Sequence, residues 1–246
     1  GSPGWTTRYG NGEVSQFVGA EMMVEKWNLS RDEMEAFAVE SHVRAIKARA
    51  EGRFEAEISP LNGVQHDEGP REPNWEKIRS LQTLTPGGRL TAACASQISD
   101  GSAAILIAND QAVKTHGLKP RARIHHMSVL ADDPIMMLSA PIPATRRALL
   151  KAGMTIDDID LVEINEAFAS VVLSWAQVHG VSRDDLMSKV NVNGGAIALG
   201  HPVGSTGSRL ITTALHELER SDKEFALITM CCGGAVSTGT IIQRIS

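Results

Sequence analysis

Four short stretches of this 246-residue chain hold side chains that can move a proton or steady a developing negative charge: Ser96, Asn165-Glu166-Ala167-Phe168, Gly200-His201-Pro202 and Cys231-Cys232-Gly233-Gly234. A thiol can act as acid or base, and an imidazole can polarise a carbonyl oxygen. A carboxamide or a glycine N–H can donate to the same oxygen as it becomes an oxyanion. Each residue also has a plain structural reading. Cys231 could be a small buried hydrophobe, and Asn165 the N-cap of a helix beginning at Ala167. Glu166 could be a first-turn carboxylate favoured by the helix dipole. His201 could be a satisfied core histidine, and Ser96 could bond its own turn. Cys94 reads as structural.

The stretch Asn191–Arg220 must position the histidine. It opens with five glycines in fourteen residues (Gly194, Gly195, Gly200, Gly204, Gly207) and passes directly into an amphipathic helix. Leu210, Ile211, Ala214, Leu215 and Leu218 recur at the spacing of one buried face. Ser205 or Thr206 can cap its start. Glycines allow close backbone approach, and a helix N-terminus presents free N–H groups and positive potential. A phosphate cradle competes with this reading, but the chain has neither GxxxxGK[ST] nor a strand-preceded GxGxxG.

Upstream, Phe17, Val18, Met22, Met23 and Trp27 keep a helical rhythm. Ser30 and Glu33 form a capping box for a helix lined by Met34, Phe37, Ala38, Ser41 and Ala45, which Gly52 stops. Residues 60–88 are rich in proline and glycine around a short helix near Trp75–Leu81. Beyond Gly88, expected strands are Leu90–Ala95, Ala103–Ala108, Arg121–Leu130, Asp160–Ile164, Lys189–Val192, Glu224–Met230 and Val236–Arg244. Helices are expected at Asn109–His116, Ala144–Ala152 and Ala167–His179. Alternation of strand and helix predicts an α/β fold with helices layered on a sheet.

Composition narrows the function. A net charge of −5 with no basic stripe argues against nucleic acid. The apolar runs are too short to span a bilayer. Three cysteines, two of them adjacent, fit neither a disulfide framework nor a zinc spacing, and a reducing cytoplasm is the expected compartment.

Taken together, the motifs resemble those of the thiolase family. NEAF at 165–168, GHPVGSTGSR at 200–209 and Cys-x-Gly-Gly at 231–234 stand in the order and spacing of a thiolase C-terminal part. TAACASQISDGSAA at 91–104 is similar to the family's TAGNASGINDGAA, and LSRDEMEAFAVESH at 29–42 and EGRFEAEISP at 51–60 to its loop domain. The closest likeness is to actinobacterial thiolases that shorten fatty-acyl or steroid side-chain CoA esters. The resemblance implies a layered α/β fold with a mixed sheet and helices on both faces, incomplete because the N-terminal half is missing. It implies a loop domain at 1–88, a segment returning to the N-terminal domain at 89–119, and a C-terminal domain at 120–246.

The same resemblance implies cleavage of a 3-ketoacyl-CoA by CoA, or the reverse Claisen condensation, with coenzyme A as substrate and no tightly bound cofactor or metal. Cys231 takes the acid/base position, His201 the oxyanion donor, and Asn165 the residue that holds a water beside it. Gly233 N–H contributes to a second oxyanion hole, Ser96 contacts the pantetheine region of CoA, and Glu166 organises the loop. Cys231 could act near neutral pH only if its pKa is lowered. Two departures matter. Ser15-Gln16 stand where small-acyl thiolases carry His-Met, which favours a longer or bulkier acyl group. No cysteine stands at the family's nucleophile position, so the missing half would supply that thiol, and this chain alone would be inactive. Its partners would be CoA thioesters, that half, and copies of itself in a homodimer or homotetramer. A non-catalytic acyl-CoA-binding or scaffolding half-protein is the alternative.

Overall fold

The computed structural model describes residues 2–245. Its centre is a four-stranded sheet in the order β1 (Ala122–Ala131), β4 (Val236–Arg244), β3 (Phe225–Cys232) and β2 (Leu161–Ile164). β2 and β3 are parallel, and the other two pairs are antiparallel. Before the sheet come α1 (Pro3–Tyr9), α2 (Gln16–Lys26), α3 (Arg31–Ala50), α4 (Trp75–Arg79) and α5 (Asp110–His116). Between its strands lie α6 (Pro141–Ala152), α7 (Ala169–Val178), α8 (Arg183–Ser188), α9 (Ala196–Leu199) and α10 (Thr206–Ser221).

Both sheet faces are covered, as the motif resemblance implies. α10 lays Leu210, Ala214 and Leu218 on Leu161, Ala226, Ile228 and Ile242. Burying each such leucine contributes about 1.5–3 kcal/mol. On the other face α6 crosses Gly239, where an added Cβ would lie 2.8 Å from Ala144 O. α7 joins α6 to the N-terminal helices. Its fully buried Trp175 donates from the indole to Thr145 Oγ1 at 2.9 Å. The main core therefore runs without a break from Met23 and Phe37 through Trp175 to Leu227 and Ile241.

Local signals explain the helices that matter most. α3 has its capping box: Ser30 Oγ accepts from Glu33 N–H at 3.2 Å, and the Glu33 carboxylate accepts from Ser30 N–H at 2.8 Å. Met34, Phe37, Ala38, Ser41 and Ala45 are all buried. Gly52, at φ 71°, takes the left-handed turn beyond the helix end.

Four expectations change. Residues 92–94 form one 3₁₀ turn rather than a strand, followed by a single bridge between Ala95 and Phe168. Ala103–Ala108 forms no ladder; its β-prone residues have no neighbouring strand among the described residues, and a lone strand leaves its backbone groups unpaired. Lys189–Val192 shrinks to one bridge, Val190 to Val162. At α10 neither Ser205 nor Thr206 caps the helix with its side chain. The three short helices α1, α8 and α9 have no counterpart among the expected elements.

Candidate active site

β2 and β3 run parallel and in register, so the residues just beyond them emerge side by side. The C-terminal ends of parallel strands are where α/β folds gather their sites. Asn165 leaves β2 with its N–H donating to Thr229 O at 3.1 Å, and Cys231 lies two residues further along β3. Asn165 is fully buried and is not a helix cap. Phe168 holds that place at α7, without a side-chain bond.

His201 arrives from the glycine-rich turn. Gly200 lies at φ 90°, and a Cβ there would meet Ser99 Oγ at 2.0 Å, so only glycine fits. Asn165 Nδ2 approaches His201 Nε2 at 3.4 Å. The same carboxamide lies beside the Cys231 thiol, near enough to pull its pKa down against burial. One side chain thus spans imidazole and sulfhydryl, which come from segments thirty residues apart, and puts them on a common wall.

Hydrogen-bond accounting fixes the imidazole's resting form. The Thr206 hydroxyl donates its one proton to Pro202 O at 2.9 Å, so its oxygen accepts from His201 Nδ1–H at 2.7 Å. Nε2 is then unprotonated and accepts from Asn165. Burial first, and the positive charge of Arg209 second, hold the His201 pKa below its usual value. For Nε2 to donate to an oxyanion, the Thr206 hydroxyl must turn from Pro202 O to Nδ1 and the ring proton must move across.

Cys231 is 7% exposed, and burial pushes its thiol up to about 12, with Cys232 adding to the shift and Asn165 opposing it. The lowering that a resting base near neutral pH would need is not found, because among the described residues no cation offsets desolvation at the sulfur. At neutral pH Cys231 rests as the thiol. Cys94 is buried at the 3₁₀ turn, close to Thr91 Oγ1, and burial lifts it to about 11.

The remaining residues sit around this centre. Ser96 N–H donates to Ala167 O at 3.0 Å, which anchors its segment beside the Asn165 loop. Gly233 is exposed in the turn Gly233-Gly234-Ala235 between β3 and β4, and a Cβ there would have open space. Glu166 is buried and accepts from Ser41 Oγ at 2.7 Å, Asn191 Nδ2 at 2.9 Å and Ile197 N–H at 3.1 Å. It ties α3 to the turn that carries His201 and faces no reacting group.

Thr206 had been read only as a cap, and Ser41 only as one of a helix face. Nothing local marks the Ser41 role, since it meets Glu166 across 125 residues of sequence, whereas Thr206 stands only five residues beyond His201, the one spacing that could have signalled its contact. Among the described residues no cluster of His, Cys, Asp or Glu could hold a metal ion, and no helix is long and apolar enough to cross a membrane.

Two parallel strand ends presenting a carboxamide and a thiol to a histidine on a glycine turn define an α/β site suited to acyl-thioester chemistry. Residues 13–111 match the family description "Thiolase, N-terminal domain" and residues 118–244 "Thiolase, C-terminal domain". The chain belongs to the thiolase family. Among its relatives, the steroid 3-ketoacyl-CoA thiolase FadA6 of Mycobacterium tuberculosis is 56% identical over 98% of this chain and 59% of that protein. A 3-ketoacyl-CoA thiolase of Psychrobacter cryohalolentis is 44% identical over 92% of this chain and 60% of that protein. The crystal structure of human mitochondrial 3-ketoacyl-CoA thiolase in complex with CoA superposes with a TM-score of 0.86 at 36% identity, covering 93% of this chain and 58% of that one. The chain thus spans about three fifths of the length of the proteins it matches.

Proposed function

We propose that this chain carries the acid/base and oxyanion groups of a 3-ketoacyl-CoA thiolase and that the acyl-accepting cysteine lies outside these 246 residues. One observation carries the reading: the Asn165 carboxamide meets His201 Nε2 at 3.4 Å at the end of β2, beside Cys231 on the paired strand β3. In thiolysis the missing thiolate attacks the 3-keto carbon, and the bond between C2 and C3 breaks. The electron pair leaves on the acetyl-CoA enolate, and the Cys231 thiol protonates its carbon. The resulting thiolate then takes the proton of incoming CoA, whose sulfur attacks the acyl-enzyme. A raised resting pKa suits the first of these steps, because the group must begin protonated. His201 donates to the oxyanion, and Asn165 holds a water beside it. The Asn165 Oδ1, buried and without a partner among the described residues, is the acceptor for that water. Gly233 N–H serves a second oxyanion, and Ser96 lies along the CoA arm.

The acyl group is proposed to be bulky. Ser15 caps α2 and Gln16 begins it, and Phe17 packs edge-on against Phe168 at 5.8 Å, two residues from Glu166. The likeness to a steroid thiolase supports the same assignment. We place the loop domain at 1–88, the returning segment at 89–119 and the C-terminal domain at 120–246, in a cytoplasmic homo-oligomer using CoA as substrate without a tightly bound cofactor. Ile98, Leu106 and Ile107, exposed at 105%, 81% and 66%, are proposed to pack on the N-terminal half.

The test mixes this chain with a separately expressed N-terminal thiolase half, 3-ketoacyl-CoA and CoA. Thiolysis is expected only when both halves are present, and His201→Ala is expected to lower kcat by about 10²–10³-fold, as loss of one oxyanion donor does. CoA binding without turnover, or turnover indifferent to His201→Ala, would return the scaffolding alternative.

A further inference from the structure

Gln97 lies in the extended stretch beyond the 3₁₀ turn and has no part in the chemistry assigned above. Its main chain touches both ends of α9: its N–H donates to Ala196 O at 3.4 Å, and its carbonyl accepts from His201 N–H at 3.1 Å. Its carboxamide covers the middle. Gln97 Nε2 donates to Ile197 O at 2.8 Å and to Ala198 O at 2.9 Å. A four-residue helix cannot pair those carbonyls within itself, because the last four carbonyls of any helix lack helical donors. The other end of the amide is also held, with Arg71 Nη1 donating to Gln97 Oε1 at 3.1 Å. That bond decides which end faces the helix. Gly69 closes the arrangement: its carbonyl lies 3.3 Å from Gln97 Nε2, and a Cβ on Gly69 would come within 2.3 Å of Ala198 O.

We propose that Gln97 is a positioning residue for His201: its carboxamide clamps α9 between residues 69–71 and its own segment and so sets where the imidazole stands against Asn165 and Cys231. The assignment rests on the thiolase reading of His201 and adds the group that holds it. Gln97 touches no reacting atom. It acts through the short peptide that ends in Gly200-His201. Its two backbone bonds survive substitution and its side-chain bonds do not, so Gln97→Ala removes the clamp while the segment stays in place.

Two measurements test this. In this chain, amide hydrogen exchange at Leu199, Gly200 and His201 is expected to quicken about tenfold in Gln97→Ala, with the β2–β3 amides unchanged. In the enzyme reconstituted with the N-terminal half, kcat for thiolysis is expected to fall about 10- to 100-fold, the scale of a small misplacement of a catalytic group, with KM within about twofold. Arg71→Ala, which frees only the far end of the amide, is expected to shift both readouts the same way by less, and it serves if Gln97→Ala does not fold. Wild-type exchange and wild-type kcat in both variants overturn the proposal, as does a rise in KM at constant kcat, which would mean that Gln97 binds substrate. If the unsubstituted reconstituted enzyme shows no thiolysis, the functional reading falls, while the exchange result still decides whether Gln97 clamps α9.

Discussion

Cys231 and Cys232 are neighbours in sequence, but on β3 their side chains point to opposite faces. Cys231 turns inward beside Asn165, and Cys232 stays half exposed. Since only the thiolate alkylates, iodoacetamide at pH 8 is expected to label Cys232 well ahead of Cys231 and Cys94, whose thiols are lifted to about 12 and about 11. Peptide mass spectrometry of the three sites reads this directly. Faster labelling of Cys231 would mean that a compensating charge exists and that the thiol does not rest protonated. Thr206 carries the companion prediction. Thr206→Val keeps the shape but removes the oxygen at 2.7 Å from His201 Nδ1. Thiolysis by the reconstituted enzyme is expected to slow about 10- to 100-fold, within the range for a displaced acid/base group, and the imidazole ¹⁵N shifts should show a mixture of tautomers. A single unchanged tautomer would remove Thr206 from the account.

At the level of elements, the sequence was informative wherever a signal is local. The period of α10, the capping box of α3 and the strands on either side of Gly233 are each written within a few residues and recur in the fold. Ala103–Ala108 fails for the opposite reason, because β-prone residues become a strand only where another strand lies beside them. The motifs located His201, Cys231 and Asn165, but the local reading of Asn165 as a cap was overruled by the β2–β3 register that buries it. The direction of the Cys231 pKa could not be read from sequence, since it depends on what packs over the sulfur. The tie between α3 and the histidine turn was also invisible, yet it has a sharp consequence at Gly195. A Cβ there would lie 2.2 Å from the Glu166 carboxyl carbon. Gly195→Ala is expected to destabilise the chain by about 1–3 kcal/mol, the usual cost of overpacking, as measured by urea unfolding. A smaller loss in the Glu166→Ala background would locate the strain at that contact, whereas equal losses would place it elsewhere.

Across the whole molecule, burial beneath α10 and beside the histidine turn sets a pH dependence. Burial raises Glu163 to about 8 and Glu57 to about 7, opposed by Arg209 at the first and by Thr213 and then Arg209 at the second. Asp67 and Glu166 shift upward for the same leading reason. A carboxyl group whose folded pKa lies above its unfolded value holds a proton that the unfolded chain has released. Its contribution is complete below about pH 4.5 and is lost as the pH climbs through the folded pKa. Histidines act in the other direction. Burial lowers His42 and His179 to about 4, so their contribution grows from there to the unfolded value near 6.5 and is flat above it. Between pH 6.5 and 8 the histidine contribution is constant and the buried carboxyls dominate. The stability of the chain, and with it the melting temperature, is therefore expected to fall across that interval, the free energy by at most about 1.4 kcal/mol per pH unit for each proton held. Glu163→Gln keeps the neutral shape that the folded state prefers, so it should flatten the slope and raise stability at pH 8. Thermal melts of both proteins at half-unit steps decide the matter: a flat wild-type profile, or an unchanged slope in Glu163→Gln, would show that Glu163 is already ionised in the folded chain and paired with Arg209.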